Sequence, residues 1–241
     1  PATRWSAIVA ARSTDSAERA RALQTVVEAY WKPIYKYVRI RWNKSNEDAK
    51  DLTQEFFSRL IEKNYLDDFD PSKARLRTFL RVCVDHFLAN EAKAATRLKR
   101  GGAAEHISLD FDAAETELQR TGRSFIGGAS PESMDDFLEK EFLRSLFGLS
   151  LESLRRFCEA HGKQTHFRLF EIHDVEDSGT KRPTYADLAK QFGIGTTDVT
   201  NYLAFARREF RRISLEKLRE MTATEDEFRR EARALLGVVP E

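Results

Sequence analysis

The sequence predicts an all-α protein made of two small helical domains, a linker between them and a C-terminal helical tail. Three observations predict it. Apolar residues recur at three- and four-residue spacing over long stretches. No strand-like alternation of any length interrupts them. Only six prolines and eleven glycines occur in 241 residues, so helices can run on unbroken. With 41% hydrophobic residues the chain can fill one large core or two small ones, and two suits an all-helical chain of this length.

Residues 18–42 hold a helical period that Pro33 is expected to kink or split. Asn46 is the expected cap of the next helix, whose apolar stripe is Ala49, Leu52, Phe56 and Leu60. The turn "DDFDPSK" breaks the chain, and a further helix begins near Lys73 with the stripe Leu76, Phe79, Leu80, Cys83 and Phe87. Gly101 and Gly102 close this block, so the first domain is placed at residues 1–100. Residues 101–131 carry glycine, serine and acids without a period and read as a partly ordered linker.

The second domain is placed at residues 132–214. Its helical period runs over 135–160, followed by a shorter helix at 167–172 and the polar loop "HDVEDSGTKRP". Thr184 then opens "TYADLAKQFGIGTTDVTNYL", two helices bent about Gly193. Ala189 is small where the helices meet, Gly193 tolerates positive φ, and Leu188, Ile194, Val199 and Leu203 can lock the pair. This is a helix-turn-helix pattern, with a second helix over 196–212. Thr197, Thr200 and Asn201 would face base edges, and Arg207, Arg208 and Arg211 would meet phosphates. Two more helices are expected after Ser214, within a tail at 215–241; the second is amphipathic over 225–236.

The formal net charge is +1, but the charges are segregated. Lys73, Arg75, Arg77, Arg81, Lys93, Arg97, Lys99 and Arg100 face only Asp85 and Glu91 between residues 72 and 100, and Arg207, Arg208, Arg211 and Arg212 form a second basic cluster. Acids gather at Glu47, Asp48, Asp51 and Glu55, and again at Glu105, Asp110, Asp112, Glu115 and Glu117. The pattern suggests two surfaces for a polyanion and at least one for a basic partner; the plainer reading of any single run is a solvated helix face.

Cys83 and Cys158 form no metal or disulfide pattern, no signal peptide is evident, and no apolar run is long enough to span a bilayer; a soluble cytoplasmic protein is expected. His161, His166 and His173 fit no common zinc spacing, and there is no glycine-rich phosphate loop or nucleophile elbow, so no catalytic, cofactor or metal site is expected.

Three segments in order, "NEDAKDLTQEFFSRLIEK", "FDPSKARLRTFLRVCVDHFLANEAKAATRLKRGG" and "TYADLAKQFGIGTTDVTNYLAFARREFRRI", resemble bacterial RNA polymerase sigma factors of the extracytoplasmic-function group. The long linker and helical tail resemble lineages of that group abundant in planctomycete-like bacteria. The resemblance implies regions two and four of such a factor, with promoter DNA and core RNA polymerase as partners. It implies that Asp48, Asp51, Gln54 and Glu55 dock on a coiled coil of the largest polymerase subunit. It places His86, Phe87 and Asn90 at a base flipped from the minus-ten element, with Arg77, Arg81, Arg97, Lys99 and Arg100 on phosphates, and the helix-turn-helix on the minus-thirty-five element.

On residue pattern alone, Phe87 fits the core stripe better than a base platform, and His86 also fits a solvated position and Asn90 a cap. Lys50 interrupts an acidic run usual in relatives, and Thr200 and Tyr202 stand where many carry lysine and arginine. Thr53 is a candidate for phosphorylation by a Ser/Thr kinase, as in some related sigma groups; the plainer reading packs it beside Leu52 and Phe56. An anti-sigma factor, or the acidic stretches at 105–117 and from Glu225 onward, are candidate masks for the basic faces. The alternatives are a helix-turn-helix regulator that acts without binding polymerase, and a helical adaptor that binds no DNA.

Overall fold

A computed structural model describes residues 6–95, 109–120, 131–176 and 182–238, and these are helical without a strand among them. The chain divides into two compact units, one of residues 1–145 and 218–241, the other of residues 146–217.

The first unit is built on α2 (Ser16–Arg41), preceded by the single turn α1 (Ala7–Ala10). Asp15 starts α2 by accepting from the amides of Ala17 and Glu18 at 2.8 and 3.1 Å. Pro33 lies inside α2 without splitting it, buried among residues that pack on the core. The helix forgoes one backbone bond there and retains its packing on both sides. α3 (Asn46–Glu62) is capped by Ser45, whose Oγ accepts from the Asp48 amide at 3.1 Å, rather than by Asn46. The Asn46 side-chain amide instead lies 2.7 Å from the Tyr35 hydroxyl, tying the start of α3 to α2.

After α3, Asn64 takes a left-handed conformation and a 3-10 turn at Tyr65–Asp68 follows. Arg12 fastens this turn to α1 by donating to the carbonyls of Leu66 and Phe69. α4 (Leu76–Ala95) buries Leu76, Leu80, Val84, Phe87 and Leu88, while Phe79 and Cys83 of the expected stripe are only half-buried.

Three further segments complete this unit. α5 (Phe111–Arg120) lies in the expected linker and sets Phe111 edge-on to Trp31 at 5.3 Å. α6 (Pro131–Ala160) contributes its first half, where Phe142 stacks on Tyr30 at 4.8 Å. α10 (Glu225–Leu236) buries Phe228 and Ala232; Thr224 caps its start and Gly237, at φ 65°, its end.

The second unit packs the end of α6, α7 (Gln164–Phe170), α8 (Tyr185–Phe192) and most of α9 (Thr196–Glu220). Its core is Leu154, Cys158, Phe167, Leu169, Phe170, Leu188, Val199, Leu203, Ala206 and neighbours. α9 runs without a break through Ser214, which is buried, so the tail holds one separate helix and not two.

Candidate functional site

The acidic surface of the first unit follows from how α3 is anchored. Ala49, Thr53, Phe56, Phe57 and Leu60 face inward, which leaves Asp48 and Asp51 exposed and Gln54 and Glu55 half-buried on the outer side. Between α3 and α4 runs an open groove of ≈ 280 Å³ lined by Asp48, Asp51, Leu52, Leu88, Glu91 and Ala92, and by Lys44 just before α3. Glu91 is paired with Arg59 at 2.8 Å, and Asp48 and Asp51 beside apolar side chains suit the head and stem of a lysine or arginine. Lys50 is held by Glu47 at 3.3 Å and Asp112 at 3.2 Å, so its charge is answered by acids outside this groove. Thr53 corrects one expectation. It is fully buried, its hydroxyl has no hydrogen-bond partner among the described residues, and a phosphate there would break the packing of α3.

On α4 the exposed line is Val82, His86 and Asn90, at successive four-residue steps. His86 and Asn90 therefore share one solvent-facing edge. Phe87 does not join them. It is 4% exposed, with its ring 5.9 Å from Phe56 and the Arg59 guanidinium 5.0 Å from it, so it is a core residue and presents no platform for a base.

Arg77 also departs from expectation. Its side chain is 6% exposed and its guanidinium is taken by Glu231 of α10 and by Glu139 of α6, the latter at 2.5 Å. Burial acts against the charge on Arg77, but the two carboxylates outweigh it and its pKa is raised. Arg75 reaches the same acids at 3.0 and 3.1 Å, and Arg81 donates to Asp135 at 2.6 Å. Arg81 also donates to Asp85, which accepts from the Tyr37 hydroxyl at 2.9 Å and from the Trp42 indole at 3.0 Å, joining α4 to the end of α2.

Asp135 and Glu139 were not singled out in the sequence. They sit on an ordinary acidic helix start with no local sign of their partners. Glu231 carries a signal of its own: it falls on the buried face of an amphipathic helix, beside Phe228 and Ala232, where an acid needs a partner. Arg97, Lys99 and Arg100 lie outside the described residues.

α2 meets a second set of acids. Glu115 of α5 receives the Arg39 guanidinium at 2.7 and 3.0 Å and the Tyr35 hydroxyl at 2.6 Å. The hydrogen bond from Arg39 holds the Glu115 carboxyl down at about 2, against the opposing effect of burial and with help from Tyr35. The buried Lys36 ammonium lies 2.7 Å from Glu141 and 2.8 Å from Glu117, and Lys32 lies 2.7 Å from Glu117.

In the second unit Thr184 and Asp187 form a capping box that starts α8. Gly193 takes φ 65° at the turn, the Ile194 amide donates back to the Ala189 carbonyl at 3.0 Å, and Asp198 accepts from the Gly195 amide at 3.1 Å. α9 then presents Thr197, Asn201, Ala204, Arg208 and Arg211 as one exposed stripe, with Thr200 beside it. The Thr200 hydroxyl donates to the Thr196 carbonyl at 3.0 Å, leaving its oxygen and methyl outward. Arg208 extends past the Phe205 ring. Arg207 is engaged by Asp174 at 2.7 and 2.9 Å, so it clamps the end of the α7 segment to α9 as well as lying beside the stripe. The histidines have separate employments: His161 bonds the Phe157 carbonyl, His166 stacks on Tyr202 at 3.8 Å, and His173 bonds Asp174.

No helix among the described residues is long and apolar enough to cross a membrane. No curated protein and no solved structure matches the chain. Residues 26–98, from the middle of α2 through α4, match the family model described as Sigma-70 region 2. The acid-faced α3 and arginine-bearing α4 thus lie in the segment that is similar to Sigma-70 region 2, and that match supports a sigma-factor family.

Proposed function

We propose that the chain is an alternative sigma factor of the extracytoplasmic-function type, which binds core RNA polymerase and selects promoters. The observation that carries this reading is the region 2 match over residues 26–98, with the exposed acids of α3 inside it. Asp48, Asp51, Gln54 and Glu55 dock on a basic helical element of the polymerase, where opposed charge sets register and speeds encounter. His86 and Asn90, on one edge of α4, contact the opened minus-ten element, and Arg77, Arg81, Arg97, Lys99 and Arg100 supply phosphate contacts. Residues 132–214 act as region four: Thr197, Thr200 and Asn201 of α9 read the minus-thirty-five element, and Arg208 and Arg211 hold its backbone. Bond formation belongs to the polymerase.

Run-off transcription with purified core polymerase on a promoter library tests this. Defined start sites that depend on the protein, and are lost with Asp48→Lys/Asp51→Lys, are the expected result. Absence of core binding, together with duplex binding by residues of α9, would replace it with a helix-turn-helix regulator that acts alone, the reading that the exposed α9 stripe also permits.

A further inference from the structure

By count α10 is an acidic helix, with Glu225, Asp226, Glu227 and Glu231 against Arg229, Arg230 and Arg233, but its charges are sorted by face. Glu227 and Glu231 are buried: Glu227 accepts from the Ala223 amide at 2.7 Å, and Glu231 holds Arg75 and Arg77. Glu225 is engaged by Arg219 and lies 3.5 Å from Arg229. Arg229, Arg230 and Arg233 are exposed on the opposite side, and Arg230 and Arg233 form no ion pair among the described residues. Asp226 shares that side at the helix start, where a carboxylate answers the helix dipole. The acids of α10 are thus spent within the chain, and the charge it turns outward is positive.

We propose that this outer face of α10 is a surface for the phosphate backbone of duplex DNA. The proposal rests on the reading of the chain as a promoter-binding protein and gives it a contact outside α4 and α9. From Arg229 to Arg233 the helix rises about 6 Å, and phosphates on one strand of a duplex recur about every 3.4 Å of its axis. The three guanidiniums therefore reach about two neighbouring phosphates, and the planar fork of each suits a pair of phosphate oxygens. Other acidic partners fit the face less well. A protein would be held by apolar side chains at the centre of the contact, a single strand by aromatic rings, and an anionic membrane by apolar side chains beside the cations. The outer face offers Asp226, the three arginines and Ala234, since Phe228 and Ala232 are buried and Leu235 and Leu236 half-buried. Backbone phosphate is common to every sequence, so the face adds affinity without sequence preference.

The test uses the full chain, fluorescein-labelled duplexes and fluorescence anisotropy over a salt series, with Arg229→Gln/Arg230→Gln/Arg233→Gln as the variant. All three positions are exposed, so the substitutions leave the packing of α10 intact. Binding should weaken at least tenfold near ~0.1 M salt, and the slope of log Kd against log salt should fall by about 2. Both changes should be equal on promoter and scrambled duplexes. A photo-crosslinker on Ala234→Cys, with Cys83→Ser to keep the label single, should mark the duplex and so place the contact on α10. Unchanged affinity and slope in the arginine variant, with binding lost in Arg208→Ala/Arg211→Ala, overturns the proposal and leaves the DNA reading of α9 standing. Absence of the crosslink at saturating duplex overturns it too. If polyglutamate competes as well as unlabelled duplex at equal charge concentration, the face takes an acidic protein and the phosphate assignment is overturned. If the unaltered chain binds no duplex even at low salt, the DNA reading falls and the proposal with it.

Discussion

Thr53 and Asp85 show how single side chains on the first unit divide between packing and polar work. The Thr53 hydroxyl is buried without a partner among the described residues, so its oxygen is desolvated for no return. Thr53→Val keeps the shape, and urea unfolding should show equal stability or a gain of up to ~1 kcal/mol. Thr53→Glu places an unpaired charge in the same spot and should cost ~3 kcal/mol or more, so it cannot serve as a phosphate mimic here. Asp85 is the opposite case. Its carboxylate collects the Tyr37 hydroxyl, the Trp42 indole and Arg81, and Asp85→Ala leaves those donors without their acceptor. A loss of about 2 kcal/mol is expected in thermal unfolding, with part of it recovered by Asp85→Asn.

Elements were legible in the sequence to the degree that their causes are local. The amphipathic tail helix over 225–236 and the bend at Gly193 lie where the periodicity and the glycine put them, because capping, period and positive φ are written in a few adjacent residues. The exception at Pro33 and the run of α9 past Ser214 come from tertiary packing, which holds a helix together over positions that local propensity disfavours. Gly193→Ala should cost about 1 kcal/mol in the second unit, seen as an earlier melt, because an L residue is strained at φ 65°.

α5 gives an element-scale prediction with a sign. The Glu115 pKa is lowered from 4.5 to about 2 in the folded state, so its contribution to docking is present above the ordinary glutamate value and is lost as pH falls from about 4.5 toward 2. Trp31 touches Phe111 of this helix, and its fluorescence should change across that window; Glu115→Gln should remove the transition.

For the whole molecule, a net charge of +1 conceals a first unit whose basic helices are answered by acids of its own chain. Asp48 and Asp51 remain exposed, while Arg77 is buried and Arg81 half-buried. If the acids of α3 carry core binding as proposed, the affinity of the full chain for core polymerase should change less than twofold with Glu139→Gln/Glu231→Gln, measured by fluorescence anisotropy of the labelled protein titrated with core polymerase.

The sequence by itself determined the helical class, the helix-turn-helix, and the acidic and basic blocks, since each depends on spacing within one helix or across one turn. The structure added that His86 and Asn90 share an exposed edge of α4. Only the tertiary structure decided that Phe87 is core, that Thr53 is sealed, and that Arg77 is spent on Glu139 and Glu231, residues 62 and 154 positions away. The reason is physical. Periodicity reports which face of a helix is apolar, whereas ion pairing is set by which charges the packed helices bring within a few ångströms, and in a chain one-third charged many partners satisfy the sequence equally well.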